Sequence, residues 1–230
     1  MAKTSKNILG DQQGKIGKVV GRVVNGVQLY SALSGGGHDA HTPKQLAQRA
    51  RFSAISHLAC CLSGAIKVGY RRASSGVPLT SARNIFVKRN IQHVTYDMET
   101  GVVTTDLEHI VLSDGNVPDV TFASPSFAEA GKVVVTFTPN VDADAGAFSD
   151  DDVYAVVYCT DEKAGMMMKA PRSSGSITLN VPSEWTGKDV VVWAFVKTSV
   201  SVVTQIDTYG LTLYPYACSK SHHLGSGTIS

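Results

Sequence analysis

The side chains of this chain that could bind a metal are a pair of histidines and a run of acids. His38 and His41 have a spacing that can hold one edge of a metal site, with Asp39 as the nearby carboxylate. The segment 142–152, DADAGAFSDDD, is rich in carboxylates but lacks the glycine and glutamate positions of an EF-hand. We therefore predict no metal and no cofactor, and interpret the acids as a solvated loop or a charged patch for a partner.

The nucleophilic residues do not form a catalytic motif. The sequence contains no GxSxG, HExxH, CxxC or phosphate-loop signature. The four cysteines, Cys60, Cys61, Cys159 and Cys218, do not form a disulfide framework, because two of them are adjacent. We predict a protein that is not an enzyme, with no catalytic residues and with cysteines that act mainly as small apolar residues in a reducing compartment.

The charges are distributed unevenly along the chain. Residues 1–92 contain 14 basic and 2 acidic residues, a net charge of +12, and residues 93–230 contain 7 basic and 17 acidic residues, a net charge of −10. The basic half could bind nucleic acid, or it could bind the acidic half of a second copy in a head-to-tail contact. The two halves could also pack on each other within one subunit.

We predict that contacts with a partner or a polyanion use charged residues from both halves of the chain. They are Lys15, Lys18, Arg22, Arg49, Arg51, Arg71, Arg72, Asp150, Asp151 and Asp152.

The element that must position the basic residues is a long helix over 42–72. Thr42, Pro43 and Gln45 form a capping-box start, and one apolar stripe recurs at three- and four-residue spacing. The stripe consists of Ile55, Leu58, Ala59, Leu62, Ala65 and Ile66. A hairpin over 15–33 precedes this helix, with its turn at Asn25-Gly26, and a second helix follows, capped by Thr80.

From His93 onward the periodicity is that of strands. Val133, Val135 and Phe137 share one face of their segment, whereas the run Val190–Val196 is apolar on both faces, as expected of a central strand. Strands are also predicted at 109–113 and 202–215. We predict a mainly β protein with α-helices, in which an N-terminal β-hairpin plus helices precede an immunoglobulin-like β-sandwich.

The expected organisation has four parts. They are a polar arm over 1–14, a basic hairpin-plus-helix region over 15–92, a β-rich region over 93–218 with the sandwich at about 115–215, and a polar tail over 219–230. We expect no membrane span, because no segment has the roughly 18 consecutive apolar residues that a span requires. We expect no export signal, because the N-terminus, MAKTSKNILGDQQGKIGK, has no apolar core of signal-peptide length.

Two motifs resemble those of a known family. Gly14, Gly17, Val20 and Gly21 fit a GxxGxVxG strand, and Pro43, Lys44, Gln48 and Arg51 fit the start of its basic helix. The chain thus resembles an uncharacterised domain family of Bacteroidota and their crAss-like phages. The connector SGGGHDAHTPK departs from the short Asn-Pro link usual in that family.

The resemblance implies a non-enzymatic virion protein at the neck, the tail or the capsid surface. We expect a homo-oligomer, a ring or repeated array, that contacts other virion proteins and touches DNA non-specifically after assembly in the host cytoplasm. The alternative is a sandwich that binds a glycan or a surface protein through its loops, with Trp185 as the candidate aromatic platform. If the protein is cellular, we expect it in the cytoplasm.

Overall fold

The computed structural model describes residues 2–4, 12–24, 27–33, 42–70, 81–199 and 218–230. The chain divides into two compact units, Met1–Gln45 and Leu46–Ser230. Several predictions lie outside the described residues, namely those for Asn25-Gly26, His38, His41, Arg71, Arg72, Thr80 and the strand at 202–215.

The first unit contains a four-stranded antiparallel sheet in the order β1-β4-β3-β2. Its strands are β1 (Ala2–Thr4), β2 (Gly14–Ile16), β3 (Val19–Val24) and β4 (Val27–Ala32). The predicted hairpin is confirmed, since β3 pairs with β4 from Val19↔Ala32 to Val24↔Val27. The segment expected to be a polar arm contributes β1, which pairs with β4 through Ala2↔Tyr30.

The predicted long helix is two helices, α1 (Pro43–Cys61) and α2 (Ser63–Gly69), which meet at an angle of 85°. The predicted capping box is confirmed, because the Gln45 amide donates to Thr42 Oγ1 and the Thr42 amide donates to Gln45 Oε1, both at 3.4 Å.

The prediction of one continuous helix is wrong because Ser63 and Gly64, both helix-weakening residues, follow Leu62 at the bend. The apolar stripe of the prediction is nevertheless correct. All six of its residues, from Ile55 to Ile66, are at most 5% exposed.

The second predicted helix is α3 (Ala82–Asn90), and a 3-10 turn, Ile91–His93, follows it. Its N-cap is Ser81, whose Oγ accepts a hydrogen bond from the Asn84 amide at 3.3 Å. The structure therefore places the N-cap of this helix one residue after the cap predicted at Thr80.

The rest of the second unit is a small hairpin and a β-sandwich. The hairpin pairs β5 (Val94–Tyr96) with β6 (Val103–Thr105). The sandwich strands are β7 (Thr121–Phe122), β8 (Lys132–Thr138), β9 (Asp152–Cys159), β10 (Ala164–Pro171), β11 (Ser176–Asn180), β12 (Asp189–Lys197) and β13 (His222–Thr228). Short 3-10 turns, Arg172–Ser174 and Ser183–Trp185, join some of them.

The two sheets of the sandwich have the strand orders β10-β9-β12-β13 and β11-β8-β7. The first, second and fifth sandwich strands thus form one sheet, and the other four form its partner. Immunoglobulin-like sandwiches likewise place the first, second and fifth strands in one sheet and the third, sixth and seventh in the other, so the predicted fold class is confirmed. The fourth strand, β10, pairs with β9, whereas in constant-type immunoglobulin domains it joins the other sheet.

Strand β12 shows why this sandwich has a third layer. Val190, Val192 and Val196 face the core between the two sheets, whereas Val191, Trp193 and Phe195 belong to a second core shared with the helices. All these residues are at most 7% exposed. A sheet with one face in water would alternate apolar and polar residues, so the two apolar faces of β12 reflect the helical layer that covers the sheet.

The segment 109–113, predicted as a strand, is not one. It is nevertheless fixed by side chains, because the Asn90 amide group donates to the Val111 carbonyl at 2.9 Å and accepts from the Val111 amide at 2.8 Å. Asn90 is fully buried, and so is Leu112. The apolar pattern was correct for burial, but a side chain of α3 makes the hydrogen bonds that a neighbouring strand would have made.

The expected polar tail at 219–230 is wrong, because it contains β13. This strand pairs with β12 from Asp189↔Thr228 to Ala194↔His222, with one irregularity after Val192. Ile229 is 2% exposed and completes the sandwich core. The sequence HHLGSGT conceals the strand because an edge position tolerates polar residues and glycine.

Candidate interaction surfaces

One face of the N-terminal sheet is partly covered by the segment that precedes β2. Gln28 Nε2 donates to the Gln12 carbonyl at 2.6 Å, and Gln28 Oε1 accepts from the Gln12 amide at 2.9 Å. The Tyr30 hydroxyl donates to Gln12 Oε1 at 3.3 Å. The Gln28 side chain is 3% exposed, and it binds the Gln12 backbone as a neighbouring strand would.

The glycines of the GxxGxVxG motif are required for two different structural reasons, backbone conformation and space. Gly14 has φ +111° and Gly17 has φ +58°, conformations that strain residues with a side chain. Gly21 is needed for space, since a Cβ there would lie 2.8 Å from the Gln12 carbonyl oxygen. The motif therefore shapes the sheet and lets Gln12 cross it.

The opposite face of this sheet carries half-buried and exposed side chains. The register of β3 and β4 places Val20, Arg22 and Val24 on it together with Val27 and Leu29. Val24 is 42% exposed, the other three apolar residues are half-buried, and Arg22 is exposed. Lys15, opposite Val20 on β2, adds a second exposed cation. We call this surface, with the exposed Lys18 of the adjacent turn, the basic sheet face.

Arg51, a predicted contact residue, has an internal role instead. Its Nε donates to the Val94 carbonyl at 2.6 Å, and its Nη2 donates to the Ile91 carbonyl at 2.7 Å. The Ile91 carbonyl also accepts from the Val94 amide in the 3-10 turn, and Val94 begins β5. Arg51 thus ties α1 to the residues that follow α3, whereas Arg49, two residues earlier, is exposed.

The three consecutive acids predicted as a contact patch do not form one. Asp150 is exposed, but Asp151 is fully buried and accepts from the Phe148 and Ser199 amides at 3.0 and 2.9 Å. Asp152 begins β9, and Lys169 lies 3.1 Å from it. The prediction is therefore wrong for Asp151, because the β-strand that starts here turns alternate side chains inward and outward.

The exposed carboxylates of this loop are Asp142, Asp144 and Asp150. Asp142 Oδ1 accepts from the Asp144 and Ala145 amides at 3.1 and 3.2 Å, which fixes a tight turn. The Asp142 and Ala147 backbones close this turn with a two-way bridge. We call the segment 142–150, which carries these three exposed carboxylates, the acidic loop.

Arg172 holds the base of the acidic loop, and the sequence analysis missed it. Its side chain is fully buried and donates to the Pro118 and Pro139 carbonyls at 2.6 and 3.2 Å, as well as to the Asp119 and Asn140 carbonyls. Its Nη2 also lies 3.1 Å from Asp151 Oδ2. A signal existed, because Arg172 is the one arginine of residues 93–230, and buried ion pairs favour arginine over lysine.

Two polar clusters contain residue types found in reactive sites, and the first lacks the order of a hydrolase triad. Asp119 accepts from Ser219 Oγ at 3.4 Å and also contacts His222 Nε2. In a hydrolase triad the histidine must lie between serine and carboxylate, and here the carboxylate lies between the other two. Among the described residues, Asp106, Glu108 and His109 form the one acidic and histidine group close enough to share a metal ion, and all three are exposed.

The aromatic platform expected for a glycan-binding module is not on the surface. Trp185 is 3% exposed and packs in the core between the two sheets.

No single helix of the described chain is long and apolar enough to cross a membrane, although α1 and α2 together would meet the criteria of length and composition. The free cysteines are divided, with Cys60 exposed and Cys159 and Cys218 buried.

Comparison with solved structures gives the fn3 domain of the human collagen alpha-1(XX) chain. The two share 13% sequence identity and a TM-score of 0.31 over 51% of this chain and 85% of that domain. No curated protein matches the chain. Residues 11–206 match the profile of a family of unknown function, and this match spans three of the four strands of the N-terminal sheet, the helices and most of the sandwich. The chain therefore belongs to the family of unknown function DUF6266.

Proposed function

We propose that this protein is a non-enzymatic assembly protein and a virion component of a phage that infects Bacteroidota. In this proposal copies associate head to tail, and the basic sheet face of one copy binds the acidic loop of the next. The resemblance of the glycine and helix motifs to a family found in such phages supports the virion origin.

The observation that carries the proposal is the basic sheet face, whose described side chains are half-buried or exposed. Among the described residues of this sheet, only Gly21 and Gln28 are buried, and Val24 is 42% exposed. A small sheet needs an apolar face packed against something to be stable. An exposed apolar face rimmed by Lys15 and Arg22 is therefore well suited to bind an acidic partner surface.

A second copy offers such a surface in its acidic loop. Asp142, Asp144 and Asp150 are exposed, whereas Arg172 and Asp151 secure the base of the same loop. A fixed loop loses little conformational entropy on binding, and its charge is opposite to that of the basic sheet face. Because the two surfaces are different, the contact is heterologous and generates a ring or a filament rather than a two-fold dimer.

The test is the native mass of the full chain across a salt series. We expect a discrete oligomer of the 24.4 kDa subunit that dissociates as salt rises, because surface charge attraction is screened. A monomer at every salt concentration would contradict the assembly. Mass spectrometry of gradient-purified particles tests the virion origin separately, since the chain must be present in them.

A further inference from the structure

The helical layer of the second unit carries cations and no acid. Between Leu46 and Gln92 the sequence has eight basic residues and no aspartate or glutamate, a net charge of +8. The described and exposed cations of this layer are Arg49, Lys67, Arg83, Lys88 and Arg89. Arg89 forms an ion pair with Asp114, which belongs to the following connector. Every formal charge that the three helices contribute is therefore positive.

An aromatic ring lies among these cations. Phe52 is 54% exposed, although phenylalanine is usually buried. Arg49, Phe52 and Ser56 recur at helical spacing and share one side of α1. Arg83 of α3 reaches this side, because its Nη2 donates to the Ser56 carbonyl at 3.1 Å. An exposed ring therefore has guanidinium groups from two helices on its side of the layer.

We propose that this surface, the helical cationic face, binds single-stranded nucleic acid. It is centred on Arg49, Phe52 and Arg83, and the further exposed cations Lys67 of α2 and Lys88 of α3 belong to the same helical layer. The cations would contact successive phosphates and Phe52 would stack on an unpaired base, the two contacts that single-strand binders combine. The proposal goes beyond the assembly function, because it uses the helices and not the basic sheet face.

Nucleic acid suits this face better than a second copy of the chain does. The acidic loop presents three exposed carboxylates, and its one aromatic residue, Phe148, is half-buried and held by its amide to Asp151 Oδ2 at 3.0 Å. A nucleic-acid strand instead supplies a continuous line of phosphates, which can reach cations on three helices, and a flat base at every step. The shared side of Arg49 and Phe52 matches that alternation of charge and ring.

The experiment measures binding of the full chain to a short labelled DNA strand and to its duplex. For three phosphate contacts we expect single-strand affinity to fall roughly twentyfold between about 50 and 200 mM salt. The charge-reversed variant Arg49→Glu/Lys67→Glu/Lys88→Glu should bind at least tenfold more weakly than the wild type. The matched control, Lys132→Glu/Lys163→Glu/Lys220→Glu, makes the same net change on the sandwich and should retain more of the affinity. Equal loss in both variants, or no binding at low salt, overturns the proposal.

Phe52→Ala tests the stacking contact. We expect it to weaken single-strand binding by roughly fivefold or more and to leave duplex binding unchanged. Equal effects on the two probes, or none, overturn the role of Phe52. The native mass of the charge-reversed helical variant distinguishes this proposal from the assembly function, because we expect its oligomer to persist. If the reversal instead dissolves the oligomer, the face binds a second copy and the nucleic-acid proposal is wrong.

Discussion

Arg172 Nη2 and Asp151 Oδ2 form an ion pair of 3.1 Å in which both side chains are fully buried. The pair joins the end of β10 to the start of β9, and Arg172 extends it to the carbonyls of Pro118 and Pro139. A buried ion pair is tolerated when further hydrogen bonds satisfy its polar atoms. Backbone groups from several loops bond both Nη atoms of Arg172 and the Asp151 carboxylate, whereas Arg172 Nε is buried without a partner among the described residues. The acidic loop therefore has a rigid base.

Replacing Arg172 should strongly destabilise the protein. Arg172→Met would leave the Asp151 carboxylate buried without its cation, and losing one partner of a buried pair costs about 3–5 kcal/mol. Lys169→Met is the matched control, because it removes the cation from the exposed pair with Asp152 and should cost about 0–1 kcal/mol. Urea unfolding of both variants measures the difference. Equal losses would show that the buried pair contributes no more than a surface pair.

Arg51 is expected to affect stability rather than polyanion binding. Arg51→Met removes two hydrogen bonds to the carbonyls of Ile91 and Val94, and should lower the free energy of unfolding by about 2–3 kcal/mol. Lys67→Met, an exposed change on α2, should cost less than about 0.5 kcal/mol. If Arg51→Met unfolds at the same urea concentration as the wild type, the Arg51 hydrogen bonds to Ile91 and Val94 do not stabilise the protein.

Part of this fold could be predicted from sequence patterns, and part could not. Burial was predictable wherever periodicity was regular, as in the helical stripe around Leu58 and the alternation of Val133, Val135 and Phe137. The bend after Cys61 was not, because the stripe continues through it. Strand β13 was missed because polar edge strands lack an apolar pattern.

The candidate contact residues were harder to predict, because a charged side chain has the same chemistry whether it faces water or the interior. Asp150 and Asp151 are neighbours in sequence, yet one is exposed and the other is fully buried. Arg49 and Arg51 divide in a similar way. Phe52 was unassigned in the sequence because an exposed aromatic cannot be recognised without the helix face on which it lies.

The motif glycines should respond differently to substitution. Gly17 has φ +58° with open space around it, so Gly17→Asn should be tolerated, because asparagine adopts this conformation readily. Gly21→Ala should break the Gln12–Gln28 hydrogen bonds through the 2.8 Å approach of its Cβ to the Gln12 carbonyl. Hydrogen exchange at the Gln12 amide is the measurement. Faster exchange is expected in Gly21→Ala alone, and unchanged exchange there would contradict the assigned role of Gly21.

The raised pKa of Tyr158 should make the folded protein less stable at alkaline pH. Burial, with smaller contributions from Cys61 and Cys159, raises the pKa of Tyr158 to about 12 from an ordinary value of 10.0. Above pH 10 the unfolded chain has lost this proton while the folded chain keeps it, so stability falls as pH rises towards 12. Urea unfolding across this range should show a smaller decline in Tyr158→Phe than in the wild type. Parallel curves for the two proteins would contradict the assignment.

The most direct test of head-to-tail assembly is the native mass of two charge-reversed variants, measured alone and mixed. One variant reverses the basic sheet face (Lys15→Glu/Lys18→Glu/Arg22→Glu), and the other reverses the acidic loop (Asp142→Lys/Asp144→Lys/Asp150→Lys). Alone, each presents like charges on both surfaces and should be monomeric. Mixed, every contact between unlike variants pairs opposite charges, so the oligomer should return. Oligomers in either variant alone, or monomers in the mixture of two folded variants, would contradict the proposed contact.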